Sequence, residues 1–241
     1  MTSVQNVLER SVAVPEAVQR YFAFALRPDQ PTILRAVLEQ EGEFALKRDA
    51  WRPFVATEYL TAHPIGFAWD ARIAMFPFVP VRVHDEYANG TGTMRARIAG
   101  IIPLVNAQDT RELREAALLR YHAEAVWMPT ALLPDNGVSW TSESDDAARA
   151  MLVDGDNRAS LLFHFAADGS IARVSGERYR DEGGRNVLRP WVGQHAGYAR
   201  LDGMMIPTQG EVGWVMPDGY FPYWRGQLLR AHYQYAPGDI R

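Results

Sequence analysis

The sequence contains no cysteine and a single lysine, and both absences exclude particular kinds of chemistry. Without cysteine there is no disulfide, no thiolate nucleophile and no zinc–thiolate site. The lysine, Lys47, lies in the polar segment Lys47-Arg48-Asp49, which argues against Schiff-base catalysis. The other cationic side chains are arginines.

The chain also lacks an excess of positive charge and an apolar N-terminal run. Its net charge of −4 argues against nucleic acid or an anionic membrane as the main partner. Charged or amide side chains interrupt the first 26 residues at Glu9, Arg10, Glu16, Gln19 and Arg20. We therefore expect no signal peptide, no membrane span and a cytoplasmic location.

Sequence motifs for common cofactors are missing as well. There is no phosphate-binding-loop lysine, no Gly-x-Ser-x-Gly and no His-Glu-x-x-His. The segment Asn89-Gly90-Thr91-Gly92 is typical of a hairpin turn rather than of a dinucleotide loop. The histidines are scattered along the chain, so we predict no metal site and no cofactor.

Short extended runs dominate the rest of the sequence. A helix is predicted at about 15–26, with Pro15 near its first turn. Alternating runs follow, separated by Gly, Pro and Asp-Gly breaks that suit tight hairpins. The predicted strands are Ile33–Leu46, Trp51–Leu60, Gly66–Met75, Val81–Tyr87, Thr91–Ile98, Val138–Glu143, Ala148–Val153, Ala159–Phe165, Ile171–Arg180, Val187–Arg200, Met204–Val215 and Gln227–Tyr235.

This order of elements predicts a mainly β protein. We expect one curved antiparallel meander at about 33–235, as a half-barrel or barrel. Two short helices accompany it, one of them inserted at about 109–127 and packed in the concave face. The simplest organisation is a single domain over 1–241. Exposed edge strands would allow a homodimer without requiring one.

The inserted helix carries a carboxylate where its apolar face should be. Asp109 and Glu112 have the spacing of a capping box, which predicts the start of the helix. At about 100° per residue, Glu124 lies at the centre of the apolar stripe, with Arg120 one turn before it. A buried ion pair contributes little net stability, which makes Glu124 and Arg120 candidates for function. Tyr121 is the third candidate if the protein is an enzyme.

Further candidates come from aromatic and polar residues on the predicted strands. Tryptophans fall about one per element, often beside proline or glycine, as in a pocket lining. Asp85 ends a strand, where it is either solvated or at a cavity rim. His164 shares a strand face with Leu162, which favours a core histidine, and Glu211 is either an outward carboxylate or a second acid beside Glu124. The candidate ligand-binding residues are Trp69, Asp85, Trp127, His164, Trp191, Glu211, Trp214 and Trp224.

Several of these residues lie in segments that resemble a widespread bacterial family of unassigned function. The most specific segment is 120–134, with the pattern Arg-Tyr-x-x-Glu-x-x-Trp-x-Pro-Thr-Ala-Leu-Leu-Pro. Segments 51–54, 66–71, 190–191, 206–214 and 222–226 complete the match. The resemblance implies one curved antiparallel sheet, similar to the half-barrel of periplasmic lipoprotein carriers, and no established reaction. Many relatives have Pro-Gly after the third strand where this chain has Phe76-Pro77-Phe78-Val79-Pro80, a longer aromatic loop that could gate the concavity.

Three hypotheses for function remain open at this point. The first is binding of an apolar or aromatic small molecule in a Trp-lined concavity, with Arg120 and Glu124 as a polar anchor. The second is a cofactor-independent hydrolase, isomerase or cyclase, with Glu124 as general acid or base and Tyr121 and Arg120 stabilising an oxyanion. The third is a purely structural Arg120–Glu124 lock that holds the helix to the sheet.

Overall fold

The computed structural model describes residues 14–76, 79–107 and 109–236. The described part contains helix α1 (Glu16–Ala25), helix α2 (Arg111–Glu124) and short 3-10 turns after α2 at Ala125–Trp127, Pro129–Leu132 and Pro134–Asn136. The strands are β1 (Ile33–Ala45), β2 (Trp51–Thr61), β3 (Gly66–Phe76), β4 (Val79–Ala88), β5 (Thr91–Ile98), β6 (Ile102–Ala107), β7 (Val138–Ser144), β8 (Ala147–Asp154), β9 (Asn157–Phe165), β10 (Ile171–Asp181), β11 (Asn186–Leu201), β12 (Met204–Met216) and β13 (Gly219–Tyr235).

All thirteen strands form one antiparallel sheet, as the sequence predicts. Its order is β6-β5-β4-β3-β2-β1-β13-β12-β11-β10-β9-β8-β7. Each strand therefore pairs with its neighbours in the chain, except that β1 and β13 join the first six strands to the last seven. β6 and β7 are the two edges, and α2 lies between them in sequence.

The sheet curves around α2. This helix contacts β3, β4 and β5 from one half of the sheet and β9 and β10 from the other. A flat sheet could not place both sets of strands against a single helix, so α2 occupies the concave face. The mainly β, half-barrel fold with one helix inside the curve is confirmed.

Residues of alternating strand positions build the core around α2. In β2, for example, Phe54, Ala56, Glu58 and Leu60 are buried, whereas Val55, Thr57 and Tyr59 face outward. α1 adds Tyr21 and Phe22, both fully buried, at one end of the sheet. Neither described helix is long and apolar enough to span a bilayer.

Three local predictions differ from the structure. The N-cap of α2 is Thr110, whose hydroxyl accepts a hydrogen bond from the Leu113 amide, and not Asp109. The edge strand β6 (Ile102–Ala107) was not predicted, because the turn before it is typical of a loop. β13 begins at Gly219 and not at the predicted Gln227. The prediction began too late because Pro222 and Gly226 weaken the alternation of the first residues of the strand. In the predicted aromatic loop, the side chain of Phe76 and residues Pro77 and Phe78 lie outside the described residues.

Candidate functional site

Arg120 is the centre of a charge cluster on the concave face. Its Nε donates to Glu124 Oε1 at 2.9 Å, and its Nη1 donates to Asp85 Oδ2 at 2.6 Å. Its Nη2 donates to Glu58 Oε1 at 3.2 Å. Helix periodicity places Arg120 and Glu124 on one face of α2, and strand alternation turns Asp85 and Glu58 inward from β4 and β2. The helix and two strands thus bring three carboxyl groups to one guanidinium.

Two further side chains, Gln40 and Trp69, hold Glu58 in place through a chain of hydrogen bonds. Gln40 on β1 donates its Nε2–H to Glu58 Oε2 at 2.8 Å. Trp69 on β3 in turn donates its indole N–H to Gln40 Oε1 at 3.0 Å. The guanidinium carbon of Arg120 lies 4.7 Å from the Phe67 ring centroid and 5.1 Å from that of Trp69, within the range of cation–π attraction.

Three carboxyl groups surround one guanidinium group, and this excess of acidic groups affects the pKa of Glu58. Glu58 is completely buried, and burial followed by the charge of Glu124 raises its pKa well above the ordinary value, with Arg120 opposing the shift. Glu124 Oε2 is buried, meets no donor group and faces the Glu58 carboxyl. A proton on Glu58 would allow it to donate to Glu124, because two ionised carboxylates cannot hydrogen-bond to each other. The cluster would then carry one net negative charge.

The cluster is not sealed from solvent. The solvent-exposed fractions of the side chains are 15% for Arg120, 16% for Asp85 and 18% for Glu124. Inward-facing apolar residues of neighbouring strands are also only partly buried, namely Phe44, Met94, Ile98, Tyr223 and Trp224.

The edge of the sheet extends this surface. Ile102 and Val105 on β6 pair with inward-facing Ile98 and Ala96 and are 59% and 41% exposed. An apolar concave wall therefore lies open beside the charge cluster.

A second polar group lies further along the concave face. Arg178 on β10 donates to the Tyr223 hydroxyl at 2.8 Å and to the Ala116 carbonyl of α2 at 3.2 Å. The Trp191 indole N–H donates to the same Tyr223 hydroxyl at 2.9 Å, and Trp214 stacks on the Tyr223 ring. Arg178 forms no ion pair with a described carboxylate, so aromatic faces and neutral oxygens hold it.

With this geometry in place, the sequence can be compared with known families. One family model, described as a family of unknown function, DUF6920, matches residues 12–233. The chain belongs to the DUF6920 family. No curated protein matches the chain significantly.

Solved structures give distant similarities to this DUF6920 member. A LolA superfamily protein from Nitrosomonas europaea is 9% identical, with a TM-score of 0.47, over 93% of this chain and 94% of the other. A DUF1329 family protein from Desulfovibrio piger is 12% identical, with a TM-score of 0.46, over 86% and 89% of the two chains.

Several residues that the sequence singled out lie on the concave side. Arg120, Glu124, Asp85 and Trp69 form or contact the charge cluster. Trp127 is buried and donates its indole N–H to the Pro207 carbonyl at 3.0 Å. The remaining three candidates on this side are Trp191, Trp214 and Trp224, and the last stacks between the rings of Phe54 and Trp127.

Three other candidate residues are not brought to the cluster. Tyr121 is buried on another side of α2, where burial and then Asp154 raise the pKa of its hydroxyl. His164 lies on the outer face of β9, paired with Arg173, so the expectation of a core histidine was wrong. Glu211 pairs with Gln194 and lies opposite the inward Trp214, where it accepts a hydrogen bond from Tyr220 at 3.2 Å. The favoured interpretation of Glu211 as an outward carboxylate agrees with this position.

Glu58 and Gln40 are site residues that were not predicted from the sequence. A signal for both was present, since Glu58 interrupts the buried stripe of Phe54, Ala56 and Leu60, and Gln40 follows the inward Leu38 two residues on. A carboxylate in a strand stripe is the same anomaly that Glu124 presents in a helix.

His122 is a buried group beside this site. It is completely buried, its ring packs against Phe163, and burial lowers its pKa to about 4. It is therefore neutral at pH 7 and adds no charge to α2.

Proposed function

We propose that this protein binds an apolar small molecule on its concave face, with a hydrogen-bond donor group of the ligand at the Arg120 cluster. The observation that carries the proposal is the partly exposed cluster of excess carboxyl groups beside an open apolar wall. Such walls with a few convergent polar groups are typical of small-molecule sites.

The chemistry of the cluster restricts the ligand's polar group. All three kinds of Arg120 nitrogen already donate to protein carboxylates, so Arg120 has little capacity left for a ligand anion. Asp85 and Glu124 are acceptors with a surplus negative charge between them. A ligand amine or hydroxyl would satisfy them, whereas a ligand carboxylate would be repelled.

An acid–base enzyme is the second candidate, and one observation favours it. Glu58 and Glu124 are two carboxyl groups in different environments, and burial raises the pKa of Glu58; such pairs divide acid and base roles in catalysis. However, Tyr121 is buried on another side of α2, and each of the three nitrogens of Arg120 already donates to a carboxyl group. The hypothesis of a structural lock is supported by the three hydrogen bonds that Arg120 donates to carboxyl groups. It does not account for the open apolar wall.

The proposal is tested by titrating a matched series of decyl compounds against the tryptophan fluorescence of the protein. We expect decylamine to bind more tightly than decanol, and decanoate to bind most weakly. Glu124→Gln and Asp85→Asn should each weaken the amine by about tenfold, since a hydrogen bond to a charged group is lost. Glu211→Gln removes a carboxylate from the outer face and is the matched control.

Equal binding of the amine and the carboxylate, or an equal effect of all three substitutions, would contradict the proposal. If no decyl compound binds and Glu124→Gln lowers the melting temperature, the Arg120 cluster is a structural lock. Conversion of a bound compound, abolished by Glu124→Gln without loss of stability, would show an enzyme.

A further inference from the structure

The outer face of the sheet carries a cleft of about 740 Å³ whose polar lining is dominated by arginine. Arg72 on β3, Arg82 on β4 and Arg97 on β5 are direct cross-strand neighbours, in one row across three strands. Arg95 lies in the next row, opposite His84. All four arginines are exposed.

The arrangement of these arginines is unfavourable on its own. Like charges directly opposite each other on a sheet are destabilising. None of the four guanidinium groups forms an ion pair with a carboxylate of the described chain. Both acids that line the cleft have other partners: His84 Nδ1 lies 2.7 Å from Asp70 Oδ1, and Arg230 donates to Glu39 Oε2 at 3.2 Å. The row of arginines therefore keeps its donors free.

The rest of the cleft gives it a defined shape. The aliphatic part of Arg82 lies along Gly100 in the turn between β5 and β6, which holds the side chain over the sheet. Val55 and Leu229 line the cleft with exposure of 43% and 47%. An organic ligand could thus contact apolar surface while its charged end meets the arginines.

We propose that this outer cleft binds a phosphate-bearing ligand. Guanidinium groups match phosphate oxygens with paired hydrogen bonds, and several of them in a row can share one phosphate or pyrophosphate. Binding removes the repulsion between Arg72, Arg82 and Arg97, so the anion stabilises the folded state. The site is separate from the Arg120 cluster, which faces the other side of the sheet.

Isothermal titration with inorganic pyrophosphate at constant ionic strength tests this site. The wild type should bind saturably, and Arg82→Gln should weaken binding by about tenfold or more, because a charge-assisted contact at the centre of the row is lost. Arg185→Gln, at an exposed turn away from the cleft, should bind as the wild type does. Glu124→Gln should also bind normally, which separates this proposal from the concave-face function.

A second measurement identifies the source of the phosphate. Sedimentation with phosphatidylcholine vesicles, with and without phosphatidylglycerol, shows whether the cleft takes a lipid headgroup. Retention that needs phosphatidylglycerol and Arg82, without binding of pyrophosphate, assigns a lipid phosphate, and binding of pyrophosphate alone assigns a soluble one. The proposal is overturned if the wild type binds neither probe, or if Arg82→Gln and Arg185→Gln bind them equally. A melting temperature of Arg82→Gln at or above that of the wild type confirms that the variant is folded.

Discussion

At the scale of single residues, the decisive feature is that three carboxyl groups share one arginine. Two of them, Glu124 and Asp85, retain contact with water, while Glu58 is completely buried. Burial therefore raises the pKa of Glu58, and the nearby charge of Glu124 raises it further. This difference is the basis of the proposed preference of the concave face for a ligand with a donor group.

Stability should consequently depend on pH through Glu58. The folded state holds the Glu58 proton to higher pH than the unfolded chain does, so ionisation of Glu58 favours unfolding. This contribution is fully present below the ordinary pKa of 4.5 and is lost as pH rises through the higher folded-state pKa. Glu58→Gln should be at least as stable as the wild type above neutral pH and should lose less stability as pH rises.

Urea denaturation of both proteins over a series of pH values measures this difference. Glu211→Gln, which removes an outer-face carboxylate, is the control and should keep the wild-type dependence on pH. Parallel curves for wild type and Glu58→Gln would contradict the prediction, because they would show that Glu58 ionises at the same pH in the folded and unfolded states.

At the scale of elements, α2 is positioned by contacts at its N-terminus as well as by its apolar face. Asp109, just before the helix, accepts from the Gly92 amide of β5 at 3.1 Å and pairs with Arg114. A Cβ atom at Gly92 would lie 3.1 Å from the Leu113 carbonyl oxygen, so any other residue here would require the helix or the strand to shift by a few tenths of an ångström. Asp109, one of the two residues that the sequence identified as a capping box, therefore attaches the helix to β5.

The cap itself is Thr110, and its removal should be measurable. Thr110→Ala should lower the free energy of unfolding by about 1 kcal/mol, since the Leu113 amide loses its partner. Thr110→Ser should retain most of the stability because its hydroxyl can accept the same hydrogen bond. Urea denaturation distinguishes the two, and equal stability of Thr110→Ala and wild type would mean that water replaces the cap.

At the scale of the whole molecule, a tyrosine adds a contact between the two halves of the sheet, besides the pairing of β1 with β13. The hydroxyl of Tyr87 on β4 donates to Asp154 at the end of β8 at 2.6 Å. It accepts from Asn157 at the start of β9 at 3.0 Å, and Asn157 also donates to the Gly90 carbonyl. The hairpins β4–β5 and β8–β9 are thereby joined across the concave side.

Tyr87→Phe should lower the free energy of unfolding by about 1–3 kcal/mol, since it leaves Asp154 and Asn157 without this partner. Tyr59→Phe is the matched control, because the Tyr59 hydroxyl makes no hydrogen bond to the described chain and its ring only stacks under Arg35. Thermal denaturation compares the two. An equal effect of both substitutions would show that the junction of the hairpins contributes little to stability.

Part of the site could be predicted from local patterns. The helical period of α2 is enough to show that Glu124 and Arg120 share the apolar face, and alternation in β12 shows that Glu211 opposes Trp214. For His164, alternation assigns the residues of β9 to two faces but does not show which face α2 covers. The position of His164 on the outer face could therefore not be predicted. The single-domain organisation, the cytoplasmic location and the absence of cofactors remain predictions.

The sequence by itself determined where strands, turns and helices form, since alternation, helical periodicity and turn residues act over a few neighbours. It also determined that a carboxylate would be buried in α2. Only the tertiary structure decided that Glu58 and Asp85 join Arg120, and that Arg72, Arg82 and Arg97 form one row. Those contacts depend on the register between strands and on the curvature of the sheet, which arise from packing between residues far apart in the chain.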